Sequence, residues 1–199
     1  MSVIVDQEAL QTRDLGLKTI GQVLAHLKRE NRVVVNLFID GRAPDLRQLR
    51  ALKRSHLEGH TLHIQTADPR QIAHQVLDEV EAQLVEVDRL TSESAALLQK
   101  KQVASAVERL GGCFTAWRHV QEAIFKVAQL RRIDIESIRV QGRAFTDLIA
   151  DFASQLRQMR SALDGRDFAT LSDLLTDKMD QVVEQWRDAI RSFRGIICV

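Results

Sequence analysis

DPRQIAHQVLDEVEAQLVEVDRLTSESAALLQKKQVASAVERLGGCFTAWRHVQEAIFKVAQLRR, residues 68–132, is the stretch whose reading decides the fold. It holds one proline, Pro69, at the first helical position behind the carboxylate cap Asp68, and no glycine before Gly111. Such a start favours a helix, because proline supplies the right φ where no N–H is needed. Apolar residues recur at helical spacing over Ile72, Val76, Val80, Leu84, Val87, Leu90, Leu97 and Leu98. They resume at Val103, Val107, Leu110, Phe114, Trp117, Ile124, Val127 and Leu130. Two long amphipathic helices joined by a short turn at Gln99–Gln102 are expected.

Beyond residue 69 no proline occurs, which fits a helical region continuing to the end of the sequence. A third helix is expected to carry Ile138, Phe145, Leu148, Ile149, Phe152, Leu156, Met159 and Leu163, after a short loop at Arg132–Glu136. A fourth carries Phe168, Leu171, Leu174, Leu175, Met179, Val182, Val183, Trp186, Ile190 and Phe193, after a turn at Leu163–Asp167. Each has one apolar stripe and one charged face. Residues 68–199 therefore read as an antiparallel bundle of about four long helices.

Residues 1–67 read differently. Val3-Ile4-Val5 is a short strand, with a second expected over Ala9–Thr12 after a turn at Asp6–Glu8. Leu17, Ile20, Val23, Leu24 and Leu27 repeat at helical spacing, with Thr19 and Gln22 placed as a capping box and the helix closing near Asn31. The run Val33, Val34, Val35, Leu37, Phe38 and Ile39 has apolar residues on both faces, so it is expected to be a central strand. Asp40-Gly41 is a turn. Leu46, Leu49 and Leu52 suggest one or two helical turns within 45–57, closed by Gly59, and Leu62 and Ile64 alternate with His63 and Gln65 as a half-exposed strand. The order, carried by the hairpin-like Ser2–Thr12, the helix Thr19–Asn31, the strand Arg32–Ile39 and the closing strand Leu62–Gln65, resembles a β-grasp, the ubiquitin-like arrangement also used by small sulfur carriers. In those families a free Gly-Gly follows the last strand and takes part in conjugation. Here Thr66-Ala67-Asp68-Pro69 runs into a helix, so the resemblance implies a binding or packing module. The expected fold is α+β and mostly α: a small β-grasp-like module over 1–67 and the bundle over 68–199.

The balance of 28 basic and 27 acidic residues gives a net charge of +1 and no global field toward nucleic acid or an anionic membrane. No apolar run reaches the roughly 20 residues needed to span a bilayer. Two cysteines, Cys113 and Cys198, make no disulfide framework. The opening residues lack the basic-then-apolar profile of a signal peptide, and the expected location is cytoplasmic.

No constellation demands chemistry. His56, His60, His63 and His74 cluster in sequence but are not spaced as converging metal ligands. Cys113 and His119 stand about 240° apart around a helix, so they form no nucleophile pair. Carboxylates at Asp78, Glu79, Glu81, Glu86, Asp173, Asp177 and Asp180 read as solvated helix faces, and no Glu-x-x-His pair marks a di-metal bundle. Gly16 and Gly21 fit no phosphate loop, and Gly111-Gly112 suggests a close helix contact or a kink. No cofactor and no metal are expected.

Arg42, Arg47, Arg50, Lys53 and Arg54, against Asp45 and Glu58, give residues 42–60 a local charge of +3. Arg47, Arg50 and Arg54 share one helical face and are the candidate phosphate or anion contacts. Without interleaved aromatics they read first as a solvated face. The leading expectation is a non-enzymatic adaptor or chaperone-like interaction protein, self-associating through its helices as a homodimer or binding another protein. Its candidate contacts are Phe125, Trp117, Trp186 and Phe193, large side chains that a four-helix core need not absorb. The alternatives are an enzyme with a site between the two parts, using His63, His74 and Asp40, and a nucleic-acid-associated regulator using residues 42–54.

Overall fold

The computed structural model describes residues 2–198, without the side chain of Leu46. Leu46 was one of the apolar positions read into the 45–57 segment, and it lies outside the described side chains. The chain is 67% helical with a small mixed sheet near its start. It separates into two compact units, 1–72 and 73–199.

In the first unit β1 (Ser2–Val5) and β2 (Glu8–Ala9) form a hairpin, followed by α1 (Ile20–Arg29), β3 (Val33–Ile39), α2 (Leu49–Arg54) and β4 (Thr61–Ala67). The sheet order is β2-β1-β4-β3, with β1 parallel to β4 and the other pairs antiparallel. The hairpin turns at Asp6 and Gln7, both at positive φ (48° and 74°), so β2 pairs through Glu8 and Ala9 rather than over Ala9–Thr12. Thr19 and Gln22 cap α1 reciprocally: the Gln22 amide donates to Thr19 Oγ1 (3.3 Å), and the Thr19 amide donates to Gln22 Oε1 (3.1 Å). Burial of Ile20, Val23 and Leu27 against Val3, Val5, Leu57, Leu62 and Ile64 places α1 on one face of the sheet. Gly21 is required where α1 meets α2, since a Cβ there would stand 2.5 Å from the Lys53 carbonyl oxygen.

β3 is an edge strand, which corrects the expectation of a central one. Its apolar run does not report two covered faces. The register with β4 shifts at Val35, which bulges out and is 49% exposed, and Phe38 lies on the open face. The interior positions belong to β1 and to β4, whose Leu62 and Ile64 are buried while His63 and Gln65 face outward.

The second unit contains most of α3 (Pro69–Gln99), then α4 (Val103–Arg131), α5 (Phe145–Asp164), α6 (Phe168–Asp173) and α7 (Met179–Cys198). The Asp68 carboxylate accepts from the Arg70 amide (2.7 Å) at the start of α3. A five-residue π turn, Leu174–Lys178, joins α6 to α7 and keeps Leu171, Leu175 and Met179 all inward. α3 and α7 run antiparallel, as a polar ladder between them shows. Arg187 reaches Asp88 (3.9 Å), Arg194 reaches Asp78 (2.6 Å) and Glu81 (2.8 Å), and Cys198 lies 3.8 Å from His74.

The connection between α4 and α5 is longer than the loop expected at Arg132–Glu136. A 3-10 turn (Ile135–Ser137) leads into a hairpin of β5 (Arg139–Val140) and β6 (Arg143–Ala144), turning at Gln141 and Gly142, both at positive φ. Ile138 is therefore buried beside the hairpin and not on α5. No helix among the described residues is long and apolar enough to cross a membrane.

Candidate functional site

Of the four aromatics expected as partner contacts, three are core residues, and the expectation is corrected for them. Trp117 is 2% exposed, Trp186 1% and Phe193 0%. They are absorbed because Phe145 and Phe152 of α5 join them in one cluster. Trp117 and Trp186 meet edge-on at 5.4 Å, Trp117 lies 4.5 Å from Phe152, and Phe145 touches both Trp186 (5.6 Å) and Phe193 (5.5 Å). Phe125 remains at the surface, 41% exposed.

Phe125 does not stand alone. Val107, Gly111, Phe114, Arg118, Gln121 and Phe125 follow one another along α4 at intervals of four, three, four, three and four. At 100° per residue all six fall within about 40° of one line along the helix. Val107 is 38% exposed, Phe114 and Gln121 are half-buried, and Gly111 and Arg118 are exposed. The deeper face of α4 is made of Ala106, Leu110, Cys113, Trp117, Val120 and Ile124. The sequence reading assigned Val107 and Phe114 to the core stripe. The small residues Ala106 and Cys113, which sit where the helix is most enclosed, were the available signal that the stripe lies further round.

Beside the middle of this strip a cleft of about 330 Å³ opens within the helical unit. Leu110, Phe114 and Trp117 of α4 line it with Phe152, Leu156, Met159 and Leu163 of α5, and Arg118, Gln121 and Arg160 supply its polar part. Arg118 is held by Glu122 at 4.0 Å and Arg160 by Asp164 at 3.6 Å, both exposed intrahelical pairs of little strength. The lining is suited to apolar groups, with guanidinium ions at its edge.

Gly111 and Gly112 do not mark a close helix contact. A Cβ on Gly111 would meet nothing within 4 Å, and one on Gly112 would make an ordinary contact 3.6 Å from Leu90 Cδ1. Gly111 leaves a flat place on the exposed strip.

The remaining candidates are placed as follows. Arg47 lies on a 3-10 turn, Leu46–Gln48, and only Arg50 and Arg54 lie on α2, which begins at Leu49. All three are exposed. The continuous helical face expected for them is thus broken between Arg47 and Arg50. Asp40 is engaged by His60, whose Nδ1 lies 2.7 Å away, and by the Thr61 amide at 2.8 Å. These bonds hold its carboxyl below the usual range, His60 first. His63 faces outward on β4, and His74 stands by Cys198 in the helical unit. Burial pushes the Cys113 thiol up, so it stays protonated, 3.4 Å from Thr91 Oγ1. Among the described residues no three His, Cys, Asp or Glu side chains gather as a metal site.

No protein-family model matches the chain, and no curated protein or solved structure matches it.

Proposed function

We propose that this is a non-catalytic interaction protein of adaptor or chaperone-like type, and that it associates with itself through its helical unit. The observation that carries the reading is the strip on α4. It keeps Val107 and Phe125 at the surface at its two ends and borders an open apolar cleft at its middle, although the α5 and α7 rings are packed to near-complete burial. Leaving apolar groups in water costs about 25 cal/mol per Å², and an aromatic side chain recovers that only when something covers it. The chemistry of the cleft also supports contact rather than catalysis: aliphatic and aromatic walls, with arginines held by exposed carboxylates. Mass in solution, measured by light scattering across a range of concentrations, tests the reading. A mass that rises to twice that of the 22.6 kDa chain supports self-association. A mass that stays at one chain throughout overturns it.

A further inference from the structure

The strip on α4 is complementary to itself. Its six positions are symmetric about residue 116: 107 and 125, 111 and 121, and 114 and 118 each sum to 232. Two copies of α4 laid antiparallel about a two-fold axis at that point would bring each member of a pair opposite the other. Val107 would meet Phe125 of the second copy, apolar against apolar. Gln121 would lie over Gly111, where the structure leaves open space above the backbone. Arg118 would lie over the ring of Phe114, a cation against an aromatic face. The strip has one charged residue, Arg118, and it faces an aromatic ring in this register, so no like charges meet. Shifting the register by one turn sets Arg118 against Arg118 or against Gly111, and loses the match.

We infer that the occupant of the α4 strip is a second copy of this chain, seated antiparallel about a two-fold axis level with residue 116, on the helix face opposite the buried Ala116. The inference rests on the self-association proposed above and names its surface. Such an interface is isologous: one patch serves both copies and the assembly closes at two. It also gives Gly111 a role, since a glycine inside a helix is otherwise a cost of up to about 1 kcal/mol with no return in packing.

The experiment uses the full chain in a Cys198→Ser background. One sample carries V107C, a second carries F125C, and a third is an equimolar mixture. Within one helix these positions are 18 residues apart, about 27 Å. The proposed register therefore places 107 near 125 of the other copy, and far from 107 of the other copy. Under mild oxidation the mixture is expected to give a covalent dimer, and each single variant alone is not, because the geometry for a disulfide needs Cα atoms within about 7 Å. Phe125→Glu, folded by the same tryptophan emission as the parent, is expected to raise the dimer dissociation constant by at least about tenfold. A dimer by light scattering that forms no 107–125 cross-link and is indifferent to Phe125→Glu overturns this inference and leaves self-association standing. A strict monomer overturns both.

Discussion

The sheet unit and the helical unit are filled by different means. The buried core of the first is aliphatic throughout: valines, leucines and isoleucines from β1, α1 and β4, with Leu17 and Leu57 from the connections. The second is organised around five rings, Trp117, Phe145, Phe152, Trp186 and Phe193, each touching at least one other. Both also carry long-range polar restraints. In the sheet unit Asp6 accepts from the Thr66 amide (2.7 Å) and hydroxyl (2.6 Å) and ion-pairs with Arg32, whose Nε donates back to Thr66 Oγ1 (2.9 Å). That knot joins a hairpin turn to the ends of two strands, across 60 residues of sequence. In the helical unit some carboxylates act locally, Glu86 on Arg89 and Asp167 on Thr170, and others reach further, Asp78 and Glu81 to Arg194. Both units tie distant segments with exposed or half-exposed polar groups, so the difference between them lies in the core: small and aliphatic in one, large and aromatic in the other.

The largest test of this contrast is Trp186→Ala. Removing a ring that touches three others should cost the helical unit about 3–5 kcal/mol. Both tryptophans lie in that unit, so Trp117 emission against denaturant reports the loss. Trp186→Phe should cost much less, because the indole N–H is buried with no hydrogen-bond partner among the described residues. Equal loss of amide protection on β4 in the Ala variant would break the contrast.

Gly21→Ala comes next, aimed at the sheet unit. Its new methyl meets the Lys53 carbonyl oxygen at 2.5 Å, and prying α1 from α2 should cost about 1–3 kcal/mol. Hydrogen exchange on β4 should speed up while tryptophan emission holds.

Acid is a milder probe. Hydrogen bonds from Thr66 chiefly, then the Arg32 charge, hold the Asp6 carboxyl below its usual range, and His60 and Thr61 do the same for Asp40. A lowered pKa in the folded state means these groups stabilise fully above the ordinary aspartate range, about pH 4. The contribution is lost as pH falls through their own depressed values. The sheet unit is expected to lose amide protection below pH 4, and Asp6→Ala, costing about 1 kcal/mol at neutral pH for its exposed bonds, should flatten that dependence. An unchanged acid profile in the Ala variant would remove Asp6 from the account.

The smallest effect has the opposite sign. Gly111→Ala should stabilise the isolated helical unit by up to about 1 kcal/mol, since the added methyl meets nothing and the helix gains propensity. A loss of stability in dilute solution, where copies are apart, would contradict the open space above that residue.

Much of this arrangement was legible in the residues themselves, where the signal was local. Asp68-Pro69 opens a helix because a cap and a fixed φ act within one turn. The Thr19–Gln22 box worked for the same reason. The position of β3 was not legible, because sheet order depends on which strands meet across the fold, and a seven-residue run with six apolar residues looks alike on an edge or in the middle. The β5–β6 hairpin was overlooked although Gln141-Gly142 announces it, because Ile138 and Phe145 also fit a helical period. Phe125 could be singled out by its misfit with the core stripe. Its companions Val107 and Phe114 were harder to separate, since a helical period fixes spacing and not the angle of the buried face, and only the small residues Ala106 and Cys113 marked where that face lies.

The ladder between α3 and α7 has a consequence for how the chain reaches this state. Arg194 answers Asp78 across 116 residues, so the helix that opens the bundle is closed by α7, made more than a hundred residues later. On a ribosome, α3 through α5 emerge with their apolar faces uncovered, and Trp186 and Phe193 arrive only with α7. The unit must therefore wait for α7 before it can close, and the interval before then is when its nascent form is most open to aggregation.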